Sequence, residues 1–454
     1  MQNRFQLYPK YKDSGVEWLG EVPDGWGVAP LKRLAKTQLS NVDKRSIEGE
    51  RPVKLCNYVD VYKNERITAR IEFMPASASD EQIRRLSIRR GDVLITKDSE
   101  TPDDIGVPAL VAEDLGCVVC GYHLALLRPY DGISIGGYLA RLLTSGYVRA
   151  QFATLAVGMT RYGLGKYDIE NVLLPVPSTP EQTAIGSFLD RESARIDALI
   201  AEQQRLIALL KEKRQALISH AVTKGLDPAV KMKDSGVEWL GEVPEHWEVK
   251  RLKFLGQAII GLTYDPSDVV DKDNGILVLR SSNVQGGKIV FDDNIFVRKT
   301  VPENILTKLG DILICSRNGS RALIGKNAII NDDSIGLTFG AFMTIFRSKH
   351  NLYLSYVFNS SLFEFQSGSF LTSTVNQLTT SNLYGFEVPV PPNEEQFEIV
   401  TFLDRETTRI DTLIQEVERA IELLKEHRQS LISAAVTGKI DVREESTPRK
   451  EVPV

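Results

Sequence analysis

The sequence predicts an α/β protein in which two mixed α/β domains alternate with two long helices that pair as a coiled coil, all built as an internal repeat. Three observations carry that prediction. Lys12-Asp-Ser-Gly-Val-Glu-Trp-Leu-Gly-Glu-Val-Pro23 recurs letter for letter as Lys233–Pro244. Glu181–Asp227 matches Glu395–Asp441 at about 29 of 47 positions. The segments between these repeats scarcely match, although the same landmarks bound them.

Each box ends at a tryptophan, Trp26 or Trp247, and soon continues into Leu-Lys-x-Leu, Leu31–Leu34 or Leu252–Leu255. In the variable segments, short β-like runs (Val93–Thr96, Ala109–Ala112, Val118–Leu127, Ile276–Arg280, Asp311–Cys315, Ala341–Phe346) are separated by Gly, Asp and Asn. Ile135–Ala153 and Leu352–Ser367 read as helical. Gly91-Asp-Val-Leu-Ile95 answers Gly310-Asp-Ile-Leu-Ile314, and Leu174-Pro-Val-Pro177 answers Val388-Pro-Val-Pro391. Each variable segment is thus a mixed domain of about 150 residues. Similar attachments combined with different interiors imply one geometry serving different ligand preferences. Trp18 and Trp239, within the boxes, are expected to pack against the helix ends or a neighbouring domain.

The long helices follow from heptads. Glu181–Thr223 lacks proline, and Leu189, Ile196, Gln203, Leu210 and Leu217 fall seven residues apart. The second copy gives Leu403, Ile410, Val417, Leu424 and Leu431, with Leu413, Ile414 and Ile421 broadening the stripe. Forty-odd residues at 1.5 Å each make a rod of roughly 60–65 Å. Pro175/Pro177 and Pro389/Pro391 hold the chain extended before each helix. Arg191, Arg195, Arg405 and Arg409 either pair with acids along the helix or face partner subunits.

Composition narrows the function classes. The 454 residues carry a formal charge of −5, but the acid is concentrated. Gly27–Pro175 is about +2, Glu248–Pro391 about +1 and Glu394–Asp441 about −5. A basic stripe in a near-neutral domain still supplies phosphate contacts. No run approaches the roughly 18 apolar residues of a membrane span, and Met1–Lys12 lacks a signal-peptide core. Four cysteines suit a reducing compartment. These features predict a cytoplasmic protein. The charged tail from Glu444 onward reads as disordered.

There is no Asn/Asp-Pro-Pro-Tyr/Phe motif of an amino-methyltransferase and no Gly-rich cofactor loop after a strand. Gly319–Lys326 misses the P-loop spacing by one, with Asn327 in place of Ser/Thr. The five histidines show no metal-ligand spacing. Cys117-x-x-Cys120 with His123 lacks a matching second pair, so these cysteines read as small apolar residues of a strand. Catalytic, cofactor and metal residues are therefore predicted absent. A complete nuclease or methyltransferase would need a site this sequence does not show. A coiled-coil scaffold binding protein ligands is the other competing reading.

The box Ser-Gly-Val-Glu-Trp-Leu-Gly-x-Val-Pro-x-x-Trp, beginning at Ser14 and Ser235, resembles specificity subunits of type I restriction–modification enzymes. So do Pro-x-Pro…Glu-Gln…Phe-Leu-Asp and helices ending Ala221-Val-Thr and Ala435-Val-Thr. The resemblance covers about Lys12 to Asp441. It implies a box (residues 1–26), target-recognition domain 1 (27–178), spacer helix 1 (179–226) and a second box (227–247). Target-recognition domain 2 (248–392), spacer helix 2 (393–438) and the tail (439–454) complete it. It further implies antiparallel helices, pseudo-two-fold symmetry, and a non-catalytic chain that reads an asymmetric, two-part sequence in double-stranded DNA. The implied partners are two modification (methyltransferase) subunits and motor-nuclease restriction subunits, with no membrane. S-adenosylmethionine, ATP and Mg belong to those partners, and methylation falls on adenine.

Candidate DNA contacts come from paired loops. One pair precedes the Pro-x-Pro stretches. In Gly158–Lys166 the glycines allow close backbone approach, and Arg161, Tyr162 and Lys166 offer phosphate or base contacts. In Ser369–Gln377, Thr374 suits phosphate, while Asn376 and Gln377 suit adenine edges. The other pair follows the Gly-Asp strands, with Lys97 in one copy and Ser316, Arg317, Asn318 and Arg321 in the other.

Overall fold

The computed structural model describes residues 5–369 and 376–444. The chain forms two compact units, one gathering everything up to Glu202 with the segment from Arg419 onward, the other comprising Gln203–Glu418. Each unit therefore holds one box, one variable domain, the first part of one long helix and the last part of the other.

The variable domains share a two-sheet plan. In the first unit a five-stranded sheet runs Ala35–Leu39, Leu124–Pro129, Val93–Thr96, Pro108–Val111 and Arg66–Ile67. A three-stranded sheet runs Val118–Cys120, Arg51–Cys56 and Met74–Ala78. The second unit has Gln257–Ile260, Met343–Arg347, Ile312–Cys315 and Asn327–Ile329 in one sheet. Its other sheet holds Val269–Val270, Ile295–Val297, Ile276–Leu279 and Thr338–Phe339.

Val93-Leu-Ile-Thr96 and Ile312-Leu-Ile-Cys315 are buried throughout. Because strand side chains alternate, each strand serves two cores. Val93 and Ile95 pack with the helices, and Leu94 packs between the sheets. Ile312 and Ile314 face the helices likewise, while Leu313 and Cys315 face the other way.

Three sequence readings are refined. Val118–Leu127 is two strands in different sheets, broken at Gly121. A Cβ there would stand 2.8 Å from the Cys56 carbonyl oxygen, so only glycine lets the chain cross over. Ile135–Ala153 is two helices, Gly136–Thr144 and Gly146–Leu155, and the Ser145 hydroxyl between them accepts from Val148 N. Leu352–Ser367 likewise divides into Asn351–Phe358 and Ser361–Ser369. In each case a short polar side chain or a close backbone approach overrides continuous apolar patterning.

The Gly-Asp landmarks owe their recurrence to a buried ion pair. Gly91 and Gly310 adopt positive φ, turning the chain so that the following acid caps a backbone N–H. Asp92 accepts from Arg89 N and from Arg128 Nε and Nη2 at 2.8 and 2.7 Å. Asp311 accepts from Lys308 N and from Arg347 Nε and Nη2 at 2.8 and 2.6 Å. Both carboxylates are buried, and each arginine also satisfies a backbone carbonyl, Ser87 or Leu306.

One buried tyrosine ties each domain to helix ends. Tyr138 donates to the carbonyls of Pro175 and Val436, and Tyr353 to those of Pro389 and Val222. Burial raises both phenols, keeping them neutral donors. The Pro-x-Pro stretches begin as edge strands, Leu173–Val176 against Gly27–Pro30 and Glu387–Val390 against Glu248–Arg251.

Packing of the box tryptophans differs between the copies, and only Trp18 departs from expectation. Trp18 is 61% exposed, and Trp239 is exposed beside Phe365. Within the box turns, Leu19 and Leu240 point inward instead. The buried anchors are Trp26 and Trp247. Gly438 and Gly225, both at positive φ where the long helices end, lie against them: a Cβ on either would meet the indole at 3.3 Å.

The first long helix runs Thr179–Lys224 and the second Asn393–Val436. They pack together antiparallel. Asp197 pairs with Arg428 in the first unit, and the equivalent Arg214 pairs with Asp411 in the second. Ile410, Ile414 and Ile421 are buried, but Leu413 is exposed and lies off the seam. Arg191 and Arg195 pair with Glu192, and Arg405 with Glu406, along their own helices.

Candidate nucleic-acid interface

In the first unit the two predicted loops meet in one small sheet. Val157–Gly158 pairs with Tyr162–Gly163, which pairs with Asp98–Ser99. Gly158 is required there, because a Cβ would lie 2.0 Å from the Arg161 carbonyl oxygen. The hairpin turn, with Met159, Thr160 and Arg161, is exposed, and Tyr162 is half-buried. Lys166 opens the short helix Lys166–Asn171 and pairs with Glu170 at 3.5 Å.

Lys97 is less free than its sequence position implies. Its ammonium bonds Asp98 Oδ2 at 3.1 Å and lies over the Tyr122 ring. His123 Nδ1 reaches the same oxygen at 2.8 Å. The edge of this sheet is thus a compact Lys97–Asp98–His123–Tyr122 cluster.

The second unit repeats the backbone with other side chains. Arg317 bridges Gln377, and Leu378 N donates to Ser316 O at 2.7 Å, as Leu164 N donates to Lys97 O at 2.8 Å. By that register Lys97 corresponds to Ser316, Asp98 to Arg317, Ser99 to Asn318, Tyr162 to Asn376 and Gly163 to Gln377. The Ser316 hydroxyl is buried on the Phe342 carbonyl. Asn318 donates to Ser281 Oγ, Asn376 to Gly319 O, and Arg321 to Gly368 O. These amides and Arg321 therefore shape the loop, while Arg317 is exposed over the face of Phe342. Thr374 lies outside the described residues.

The sequence pattern does not mark Tyr122 or Phe342, and it brings His123 forward only as a metal ligand. The available signal is a glycine opening the last central strand in both copies, Gly121 and Gly340. It places His123 and Phe342 at the same position, immediately before Leu124 and Met343, whose ladder partners Thr96 and Cys315 also correspond. Beside the second cluster an open cavity of about 560 Å³ is lined by Ser281, Ser282, Asp293 and Lys326, among others.

The other chemistry considered lies elsewhere. Cys120 is buried in register with Cys56, whereas Cys117 is exposed. Among the described residues no group of three or more His, Cys, Asp or Glu is placed to hold a metal ion. No described helix is long and apolar enough to cross a membrane. Both loop clusters instead offer hydrogen-bonding and charged groups on rigid strand ends, the type of surface that reads nucleic acid.

Residues 244–423 match the type I restriction modification DNA specificity domain. The chain is 28% identical over 442 residues to the type I restriction enzyme EcoKI specificity subunit of Escherichia coli K12, covering 93% of this chain and 90% of that protein. It is 23% identical, over the same shares, to the StySPI specificity subunit of Salmonella potsdam. The fold is that of the HsdS subunit from Thermoanaerobacter tengcongensis, with TM-score 0.53, 18% identity and coverage of 92% of this chain and 98% of that one. A chain from a structure addressing complex assembly and conformational transition of the type I R-M system gives TM-score 0.69 at 17% identity, covering 91% and 98%. With its repeated boxes, domains and helices, this chain is similar over about nine tenths of its length to the specificity subunits of type I restriction–modification systems, and residues 244–423 match their DNA specificity domain.

Proposed function

We propose that each variable domain reads one half of an asymmetric, two-part target in double-stranded DNA, and that the paired helices hold the halves apart and dock two adenine-modifying methyltransferase subunits. The observation that carries this reading is one loop architecture, residue for residue in register, furnished with different side chains in the two units. Identical frames present their edges alike; unlike edges select unlike sequences. Half-sites one helical turn apart, about 34 Å, suit such a duplicated reader.

The helices carry a second support. Leu199 and Leu413 are equivalent and both exposed, as are the equivalent Leu209 and Leu423. Apolar side chains repeated on two solvent faces fit two copies of one partner. The chain itself supplies recognition and catalyses nothing. S-adenosylmethionine binds the modification subunits, ATP and Mg serve the motor-nuclease subunits, and the assembly works in the cytoplasm.

The test is methylation mapping of host DNA with and without this chain, its modification subunits being present. Adenine methylation at one bipartite asymmetric motif, lost on deletion, is the expected result. A pattern unchanged by deletion overturns the proposal.

A further inference from the structure

Resting on that reading, we infer that Asp98 and Arg317, which hold the same ladder position in the two units, are specificity-determining residues of opposite hydrogen-bonding sense. Asp98 selects a base bearing an exocyclic amino group in one half-site, and Arg317 selects guanine in the other.

The backbone argument comes first. Asp98 pairs with Gly163 and Arg317 with Gln377, each one residue before Leu164 or Leu378 returns to the neighbouring strand. Each follows a buried central strand, Val93–Thr96 or Ile312–Cys315, so its Cα is held by the core rather than by a mobile loop.

The side chains are preorganised in different ways. Lys97 and His123 both bond Asp98 Oδ2. That fixes the carboxylate and neutralises a charge that DNA phosphates would otherwise repel. Oδ1 has no hydrogen-bond partner among the described residues, and it stands where a Cβ on residue 163 would be 3.4 Å away. Glycine at 163 leaves that oxygen uncrowded. An acceptor-only group so held pairs with the amino group of cytosine or adenine in the major groove.

Arg317 is held by a cation–π contact. Its guanidinium carbon lies 5.1 Å from the centroid of Phe342, a ring that is 58% exposed. That contact restrains the guanidinium, and none of its side-chain N–H groups has a hydrogen-bond partner among the described residues. A planar fork so presented matches guanine O6 and N7. The position of Phe342 is occupied by His123 in the first unit: the supporting residue changes with the reader it supports.

The experiment uses the full chain assembled with its modification subunits and a duplex set varying each base of the wild-type motif. Asp98→Ala is expected to lose roughly tenfold or more discrimination at one position of one half-site, and Arg317→Ala at one guanine of the other half-site. Asp98→Asn, which adds a donor, broadens the same position. Arg317→Lys retains the charge and the salt dependence of binding but not the guanine preference. Unchanged profiles in the variants, or both changing one half-site, overturn this inference while a wild-type bipartite motif leaves the two-domain reading standing. A wild-type complex without any sequence preference removes both.

Discussion

The ion pairs Asp92–Arg128 and Asp311–Arg347 agree between the two units to about a tenth of an ångström, while Lys97-Asp98-Ser99 and Ser316-Arg317-Asn318, a few residues along the same strands, share no side chain. The difference teaches where the fold tolerates variation. A buried carboxylate has to be paired, so the acid and its arginine recur together. At the strand end the ladder fixes the backbone, and the side chains there are held by local hydrogen bonds and ring contacts that different residue types can make. Divergence concentrates where it changes what the surface presents.

The strongest way to break the comparison is at the tryptophan anchors. Trp26→Ala and Trp247→Ala should each cost about 3–5 kcal/mol in denaturant unfolding. The phenylalanine variants should separate the copies. Trp247 Nε1 donates to Glu395 at 2.9 Å, whereas Trp26 Nε1 has no partner among the described residues. Trp247→Phe should therefore cost roughly 1–2 kcal/mol more than Trp26→Phe; equal costs would show that the bond contributes nothing.

Next come the repeated ion pairs. Arg128→Met and Arg347→Met each leave a buried carboxylate, so about 3 kcal/mol should be lost in both copies. A large inequality would mean that the copies are not energetically equivalent. Smaller still, Tyr138→Phe and Tyr353→Phe remove one hydroxyl donor shared by two carbonyls, and calorimetry should register about 1–2 kcal/mol each.

The smallest effect concerns a group present in only one unit. Glu65 takes hydrogen bonds from Arg141 and Arg428. Burial raises its pKa, but the two guanidiniums outweigh burial and hold it below the ordinary value near 4.5. A depressed folded-state pKa means stabilisation that is complete above the ordinary value and lost as pH falls through the depressed one. Glu65→Gln should thus lower the melting temperature at pH 7, with the gap to wild type closing under acid. A pH-independent gap would assign Glu65 a purely packing role.

Much of this architecture was legible in the sequence. Heptads marked helices that occupy Thr179–Lys224 and Asn393–Val436, because seam periodicity survives whatever surrounds it. The paired loops were legible because repeated landmarks bound them, the Gly-Asp strands before one pair and the Pro-x-Pro stretches after the other. Leu413 was misplaced on the seam since adjacent apolar residues cannot be assigned a face by hydropathy alone. Trp18 was misjudged for a similar reason: an aromatic in a repeated box reads as an anchor until the turn shows Leu19 inside.

The sequence by itself determined the repeat, the alternation of domains and helices, and the family resemblance, because those are patterns carried along the chain. The tertiary structure alone decided that Asp98 and Arg317 hold one position, that His123 and Phe342 stand behind them, and that Lys97 and Ser316 are already engaged. Those relations join residues far apart in sequence through strand register and the closing of a core, and no local pattern of side chains encodes either.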